Sequence, residues 1–532
     1  MSQHLLIHGG EVVDGTGAPR RRADVRVHDG RIAEVGPGLE RGDAQAIDAT
    51  GALVTPGFID THAHTDPQVF WDPRLDPDPL HGVTTMLVGN CSLSLYPASE
   101  TTRGQISDLF AYIEDVPRHL FDDEVPWTWR NYDGYRDAVN AVGTGINLAA
   151  LVGHSPLRLA VMGDDAWTRV ATPAERAQLA ELFEEAMKAG AWGLSTSWLD
   201  SDSEGRPVPS RAADTAEFDA LFDVIQSAGH GLVEVVPGLL GDKPEVALED
   251  LARKLGSEGI GFYPQLSPRT VDFRLNWDSS MMFMSMPQGW HKIIAAQGAD
   301  KADLLADPVW RAAAREEWDR TEKSLFPHRS LDKVRFVEVA GTGNEPWLGR
   351  TLADLVDERG GHPSDVFADF VAANDCHPGV VAVGVSNADV DGVARTLTDP
   401  HVLVSSSDAG AHMQMLCASG DTTLLLTRHV RERHDFTLEQ AVHQLTGRLA
   451  AVFGLKDRGV IEPGRAGDFA VFNLDELHWD EDVFVADLPG GALRLRRPEG
   501  GFRATIVNGS VVQRDGKLTG ALPGRVLNAN EQ

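Results

Sequence analysis

Residues 172–198, TPAERAQLAELFEEAMKAGAWGLSTSW, contain the alternation that decides the fold. Thr172 and Glu175 have the capping-box spacing, in which each side chain satisfies a free backbone N–H of the other at a helix start. Pro173 suits the first helical position, where its missing donor is not needed. Leu179, Leu182, Phe183, Ala186 and Met187 then recur at helical spacing on one face, Gly190 stops the helix, and AWGLSTSW reads as a buried strand. The unit repeats downstream. Asp214 and Glu217 are the cap residues, Phe218, Leu221, Phe222 and Ile225 the stripe, and GLVEVV the strand; a third unit ends in IGFYPQL. Strands alternating with amphipathic helices predict a parallel sheet. Counting outward from Val54 gives VTPGFID, VTTMLVG, INLAALVG, AWGLSTS, GLVEVV, IGFYPQL, then either VRFVEV or GVVAVGV, and finally HVLVSSS. Eight such strands make an α/β, TIM-like (β/α)8 barrel, which carries its chemistry on loops after the strand C-termini.

The two ends of the chain read differently. HLLIHGGEVVDGTG, ADVRVHDGRIAEVG and AIDATGALVTPG alternate short β-like runs with Asp-Gly and Gly-Gly turns, as do GRAGDFAVFN and FRATIVNGSVVQRDGKL. Neither end has enough strands for a sheet of its own. Residues 1–53 and 455–532 are therefore expected to form one β-domain beside a barrel over 54–454, with a long excursion at about 267–345. The excursion contains DSSMMFMSMPQGW, which suits either a lid over a pocket or plain packing on the rim.

Composition narrows the function classes. With 42% hydrophobic and 24% charged residues the chain is ordinary for a globular protein, and no apolar run reaches the length of a membrane span. A formal net charge of −31 opposes nucleic acid as a partner. MSQHLLIHGGEVVDG lacks the basic start and apolar stretch of a secretory signal, and Cys91, Cys376 and Cys417 are too scattered for a disulfide framework. The expectation is a cytoplasmic protein acting on a small molecule, with no membrane or nucleic-acid partner and with a homo-oligomer left open.

The strand ends carry the chemistry. After the first strand comes Asp60-Thr61-His62-Ala63-His64-Thr65-Asp66. Strand side chains repeat every second residue, so His62 and His64 point the same way and can converge on one cation. Alone, the pair could equally be two histidines hydrogen-bonded to Asp60 or Asp66. The second strand ends in Gly89-Asn90-Cys91-Ser92, where a metal could hold a thiolate. The third ends in Gly153-His154-Ser155-Pro156-Leu157-Arg158, and the last in Ser407-Asp408-Ala409-Gly410-Ala411-His412. An aspartate there can bind a metal, take a proton from an attacking water and hand it to a leaving amine.

PGFIDTHAHTD, HGVTTMLVGNCSLSLYP, LVGHSPLR, WGLSTSW, SSSDAGAHMQM and RGVIEPGRAGDFAVFN follow one another in an order and spacing that resemble the N-acyl-D-amino-acid deacylase (D-aminoacylase) branch of the amidohydrolase superfamily. The resemblance spans nearly the whole chain. It implies a metal-bearing barrel with a small β-sandwich built from both chain ends, His62 and His64 as paired metal ligands, Cys91 at the bridging position and Asp408 as the catalytic aspartate. The family usually carries metal-binding histidines at the ends of strands five and six, but LVEVVPG and FYPQLSP offer Glu234 and Gln265. Glu234 can serve as an oxygen ligand; Gln265 is a poor ligand and suits hydrogen bonding to substrate. The preferred arrangement is a single zinc on His62, His64 and Asp408, completed by Cys91 or Glu234, with a second ion left open.

The family's tyrosine and lysine for a substrate carboxylate have no match at Trp198 or after Gln265, which leaves Arg158 and Arg269 as candidate cations. His154, read as catalytic, or His412, read as substrate-binding, would stabilise the developing oxyanion. The implied activity is metal-dependent hydrolysis of a non-peptide C–N bond. The alternatives are a cyclic amide, imide or ester hydrolase, and a non-catalytic binding protein that has lost part of the site.

Overall fold

The computed structural model describes residues 4–236, 257, 261–404 and 407–532. The first barrel strand, Phe58–Asp60, runs parallel to Val83–Val88, which runs parallel to Asn147–Ala150. After Leu151 the third strand resumes as Val152–Gly153, parallel to Gly193–Ser197, and that strand is parallel to Leu232–Val236. The first three are buried at every position, as expected of strands covered on both faces. Further round, Gln265–Leu266 lies parallel to Leu403–Val404. A parallel bridge between Ala63 and Ala409 joins the last strand to the first. The Asp408 N–H donates to His62 O at 2.9 Å and the His64 N–H to Ala409 O at 2.7 Å. This seam sets the site.

The helices expected from the sequence are present, with one difference. In Pro173–Lys188 the Glu175 N–H donates to Thr172 Oγ1 at 3.3 Å and the Thr172 N–H to the Glu175 carboxylate at 2.8 Å, while Leu179, Phe183, Ala186 and Met187 are buried. In Thr215–Ala228 the buried face is Glu217, Leu221 and Val224, and Phe222 points outward at 40% exposure. Glu217 is drawn into the core by a buried arginine, which rotates the stripe away from the one the sequence predicts.

Neither candidate for a seventh strand is a barrel strand. Val334–Glu338 and Gly379–Ser386 pair antiparallel with each other, and Gly379–Ser386 also pairs antiparallel with Val271–Arg274. An apolar strand tells nothing of the sheet it will join, so the pattern alone could not separate the two. These strands belong to a lobe whose core runs from Leu275 to Ala382, past the expected boundary at 345. The Met-rich segment fills that core with Met282, Phe283, Met286 and Trp290, all under 2% exposed. The lobe grips the barrel mouth through Asn276 Nδ2 donating to Asp115 Oδ1 at 2.8 Å, Arg274 N–H donating to Met415 O at 2.7 Å, and Phe273 set edge-on to His412.

Both chain ends share one sheet. In a seven-stranded sheet Phe469–Phe472 lies between Phe502–Val507 and Leu53–Pro56, antiparallel to both. A four-stranded sheet containing His4–His8 and Asp24–His28 packs against it through Leu5, Ile7, Val25, Val27, Val54, Phe469 and Ile506. The result is a β-sandwich.

Candidate metal centre

The seam between first and last strands supplies three of the four converging side chains. His62 and His64 leave the end of the first strand, and Asp408 follows the last one in left-handed backbone, φ 68°. Cys91 and Ser92, after Val83–Val88, are also left-handed at φ 54° and 66°, a conformation costly for residues with a Cβ and concentrated at functional sites. Gly410 shows how tight the seam is: at φ 85°, a Cβ there would stand 2.9 Å from the His64 carbonyl carbon. Asp60, buried beneath, accepts hydrogen bonds from the Ser407 hydroxyl and from the His62 N–H at 3.2 Å.

His62 Nε2 lies 3.3 Å from His64 Nε2 and 3.2 Å from Cys91 Sγ. Asp408 Oδ1 lies 3.2 Å from His64 Nε2 and 3.6 Å from His62 Nε2. A tetrahedral zinc with imidazole nitrogens at roughly 2.0–2.1 Å needs those nitrogens about 3.3 Å apart, and two imidazoles, a thiolate and a carboxylate are a zinc donor set. His62, His64 and Cys91, with ligand atoms within 4.8 Å of one another, fit such an ion, and Asp408 stands against the two histidines.

Behind the rings stand two buried carboxylates. Glu114 Oε1 is 3.2 Å from His64 Nδ1, an ion-pair contact that lacks hydrogen-bond alignment. Glu234 Oε1 is 3.9 Å from His62 Nδ1, while its Oε2 accepts the Cys91 N–H at 3.0 Å. Burial lowers His62 to about 4. At His64 burial works the same way, but Glu114 and Asp408 outweigh it and raise the imidazole to about 10. Burial would raise Asp408, yet the facing imidazoles of His64, His62 and His412 hold it well below the usual carboxylate range. Burial pushes Glu114 and Glu234 up to about 8.

Several sequence-predicted residues fall elsewhere. Glu234, expected among the ligands, faces Nδ1 of His62, opposite the converging Nε2 atoms, and is committed to the Cys91 backbone. His154 is fully buried; its Nδ1 pairs with Thr196 Oγ1 at 3.1 Å and its Nε2 with Glu217 Oε1 at 2.7 Å, so an oxyanion role is withdrawn. Arg158 is fully buried on Glu217 and the carbonyls of Ala166 and Arg169, which removes it as a carboxylate anchor. Arg269 spends Nη1 on Cys417 O and Nη2 on Ser407 O and is likewise structural. Trp198 is half exposed against Phe218. Gln265 accepts from Thr61 Oγ1 at 3.5 Å, beside the histidines. His412 does reach the site, with Nε2 3.9 Å from Asp408 Oδ2.

The Glu217 network is testable by itself. Glu217→Ala leaves the buried Arg158 charge without its carboxylate counter-ion and should cost about 3–5 kcal/mol, read as a lower urea midpoint. Unchanged stability would mean that water or a carbonyl replaces the carboxylate.

Glu114 was missed by sequence reasoning. It follows the helix Arg103–Ile113 in a stretch, YIEDVP, with no motif to mark it. It is brought inward by the next residues: Met413 N–H donates to Glu114 O at 3.2 Å and Gln414 N–H to Asp115 Oδ2 at 3.2 Å.

An amidohydrolase family model matches residues 45–251 and 373–513. The chain is 30% identical to the D-aminoacylase of Alcaligenes xylosoxydans xylosoxydans over 98% of its own length and 97% of the relative's. It also resembles, at 29% identity and a TM-score of 0.62, an N-acyl-D-glutamate deacylase from Bordetella bronchiseptica solved with zinc and a phosphonate mimic of the tetrahedral intermediate, covering 99% and 100% of the two chains. A D-aminoacylase with a binuclear metal centre, activated by one metal and attenuated by the second, matches at 27% identity and a TM-score of 0.62 over 98% and 99%. The chain belongs to the amidohydrolase family and is a metal-dependent hydrolase of a non-peptide C–N bond. Within that family it stands in the D-aminoacylase, or N-acyl-D-amino-acid deacylase, branch. No described helix is long and apolar enough to cross a membrane.

Proposed function

We propose that the protein hydrolyses the amide bond of a small N-acylated compound with one zinc ion held by His62, His64, Cys91 and Asp408. The observation that carries this reading is the convergence of two Nε2 atoms and one Sγ within 4.8 Å of one another, with Asp408 Oδ1 3.2 and 3.6 Å from the two nitrogens. When bound, such an ion polarises the acyl carbonyl and makes water a stronger acid. Asp408 keeps Oδ2 outside the converging set, 3.9 Å from His412 Nε2. From there it takes the proton of the attacking water, and it returns that proton to the amine nitrogen as the C–N bond breaks. His412 holds the Asp408 carboxylate and faces the developing oxyanion. Glu114, behind His64, orients the ring, as carboxylates behind metal-binding histidines do. Glu234 fixes the Cys91 backbone and leaves no histidine for a second ion.

The same reading takes 1–53 and 455–532 as one domain and 54–454 as the barrel, and the three free cysteines support a reducing, cytoplasmic setting. Elemental analysis of the purified chain tests the metal count, with one equivalent of zinc expected. Chelation should abolish hydrolysis of an N-acetyl substrate panel, and readdition of one equivalent should restore it. Two tightly held ions, or activity that survives chelation, would refute the arrangement.

A further inference from the structure

Asp408 and His412 act from one short segment, and one buried guanidinium reaches both of its ends. Residues 407–417 follow the last strand, with Asp408 at φ 68°, Gly410 at φ 85° and His412 at φ 51°. Left-handed backbone is costly for residues with a Cβ and persists only where the surroundings hold it. The peptide group entering Asp408 is held at both polar atoms. Its N–H donates to His62 O at 2.9 Å, and its oxygen, Ser407 O, accepts Arg269 Nη2 at 3.1 Å. Nη1 of the same arginine donates to Cys417 O at 2.9 Å, which Arg497 Nη2 also reaches at 3.0 Å. Charged donors make the stronger hydrogen bonds, and a planar guanidinium sets the separation of the two carbonyls it serves.

Arg269 is itself anchored where the lobe joins the barrel. Its N–H donates to Ser267 Oγ at 3.1 Å, and its carbonyl accepts Asn387 Nδ2 at 3.1 Å. The same Asn387 amide reaches Ser267 O at 3.2 Å, and Thr270 Oγ1 donates to Asn387 O at 3.2 Å. Ser267–Thr270 lead into Val271–Arg274, the strand by which the chain enters the lobe, and Asn387 follows Gly379–Ser386, the strand by which it leaves. The two stems are thus pinned to each other at the residue whose side chain steadies the segment bearing Asp408.

We infer that Arg269 is a positioning residue for the hydrolysis: by fixing the Ser407–Asp408 peptide group it sets where the Asp408 carboxylate and, along the same segment, His412 stand. Misplacing a reacting group by about 1 Å can cost on the order of 10²-fold. Arg269→Lys keeps the charge but cannot span both carbonyls, so kcat should fall about 10- to 100-fold with KM changed less than about threefold. The inference rests on the reading of Asp408 as proton shuttle, so one arm of the experiment reads turnover and the other does not. In the first, kcat and KM on an N-acetyl substrate are measured for the wild type, Arg269→Lys, Asp408→Asn and the double variant. In the Asp408→Asn background the lysine should cost less than about twofold, because the group it positions is already lost. An unchanged kcat in the single variant, a loss carried by KM, or an equal loss in both backgrounds overturns the inference. In the second arm, hydrogen–deuterium exchange of the zinc-loaded full chain should be about tenfold faster over 407–417 in Arg269→Lys and unchanged over 83–88 and 147–150. Unchanged exchange over 407–417, or acceleration throughout the barrel, also overturns it. If Arg269→Lys does not fold, Arg269→Gln takes its place, and failure of both to fold assigns the arginine to stability alone. If the wild type hydrolyses no N-acetyl substrate, the proposed reaction falls and the exchange arm decides whether Arg269 holds the segment.

Discussion

Asp408→Asn should lower turnover by a factor on the order of 10² to 10⁴, the usual worth of a positioned acid–base group, while the protein stays folded. Folding should survive because Asn is among the few residues that accept left-handed backbone readily, and Asp408 sits at φ 68°. Its backbone contacts, to His62 O and from the Ala411 N–H at 3.1 Å, do not involve the side chain. The amide retains an oxygen that can face the cluster but cannot take a proton from water at neutral pH. Turnover should therefore fall further than substrate affinity, with kcat reduced and KM changed little. Near-normal kcat in the Asn variant would make Asp408 a structural residue and remove the proton shuttle.

His62→Ala and His64→Ala should each weaken zinc binding by more than about 100-fold, and activity should fall in step. Each removes one imidazole donor from the cluster and leaves a place that only water can fill. Glu114→Gln provides the graded comparison. It touches His64 from behind, so its cost should be about 10- to 100-fold in metal affinity, the range of outer partners. Competition with a chromophoric chelator measures all three without any substrate. Wild-type zinc affinity in either alanine variant would rule out the assignment of the cluster.

How much of this was legible in the sequence depended on whether a side chain obeyed a local rule. The capping box at Thr172, the HxH pair and the aspartate after the last strand are local patterns, and the structure brings His62, His64 and Cys91 together, with Asp408 beside the two histidines. Glu217 misled because it also satisfies a local rule: it stands at the third position of a helix after Asp214, while its carboxylate serves a buried arginine from another helix. Arg158 and Arg269 looked available because a sequence does not show which carbonyl an arginine will meet. Glu114 was invisible for a related reason. It lies in an ordinary loop and acquires meaning only where the barrel mouth closes on it. The seventh strand failed on topology, since an apolar strand of the lobe and one of the barrel have the same alternation.

The pairing of Phe469–Phe472 with Leu53–Pro56 bears on how the enzyme comes into being. A chain leaving the ribosome exposes His62, His64 and Cys91 early, on an unclosed sheet, with Asp408 still to be made. The strand leading into the histidines is flanked early by Glu11–Val12 and gains its second neighbour only when residue 469 emerges; Thr55 Oγ1 then donates to Ala470 O at 3.2 Å and the Gly57 N–H to Asp468 O at 2.9 Å. Contacts so distant in sequence form late and slowly. Asp408 joins His62, His64 and Cys91 only when the last strand meets the first, so complete coordination of an ion is expected to be coupled to late closure of the chain. A product cut short before Asp408 is expected to hold an ion less firmly than the full chain, so metal content reports on closure of the last strand.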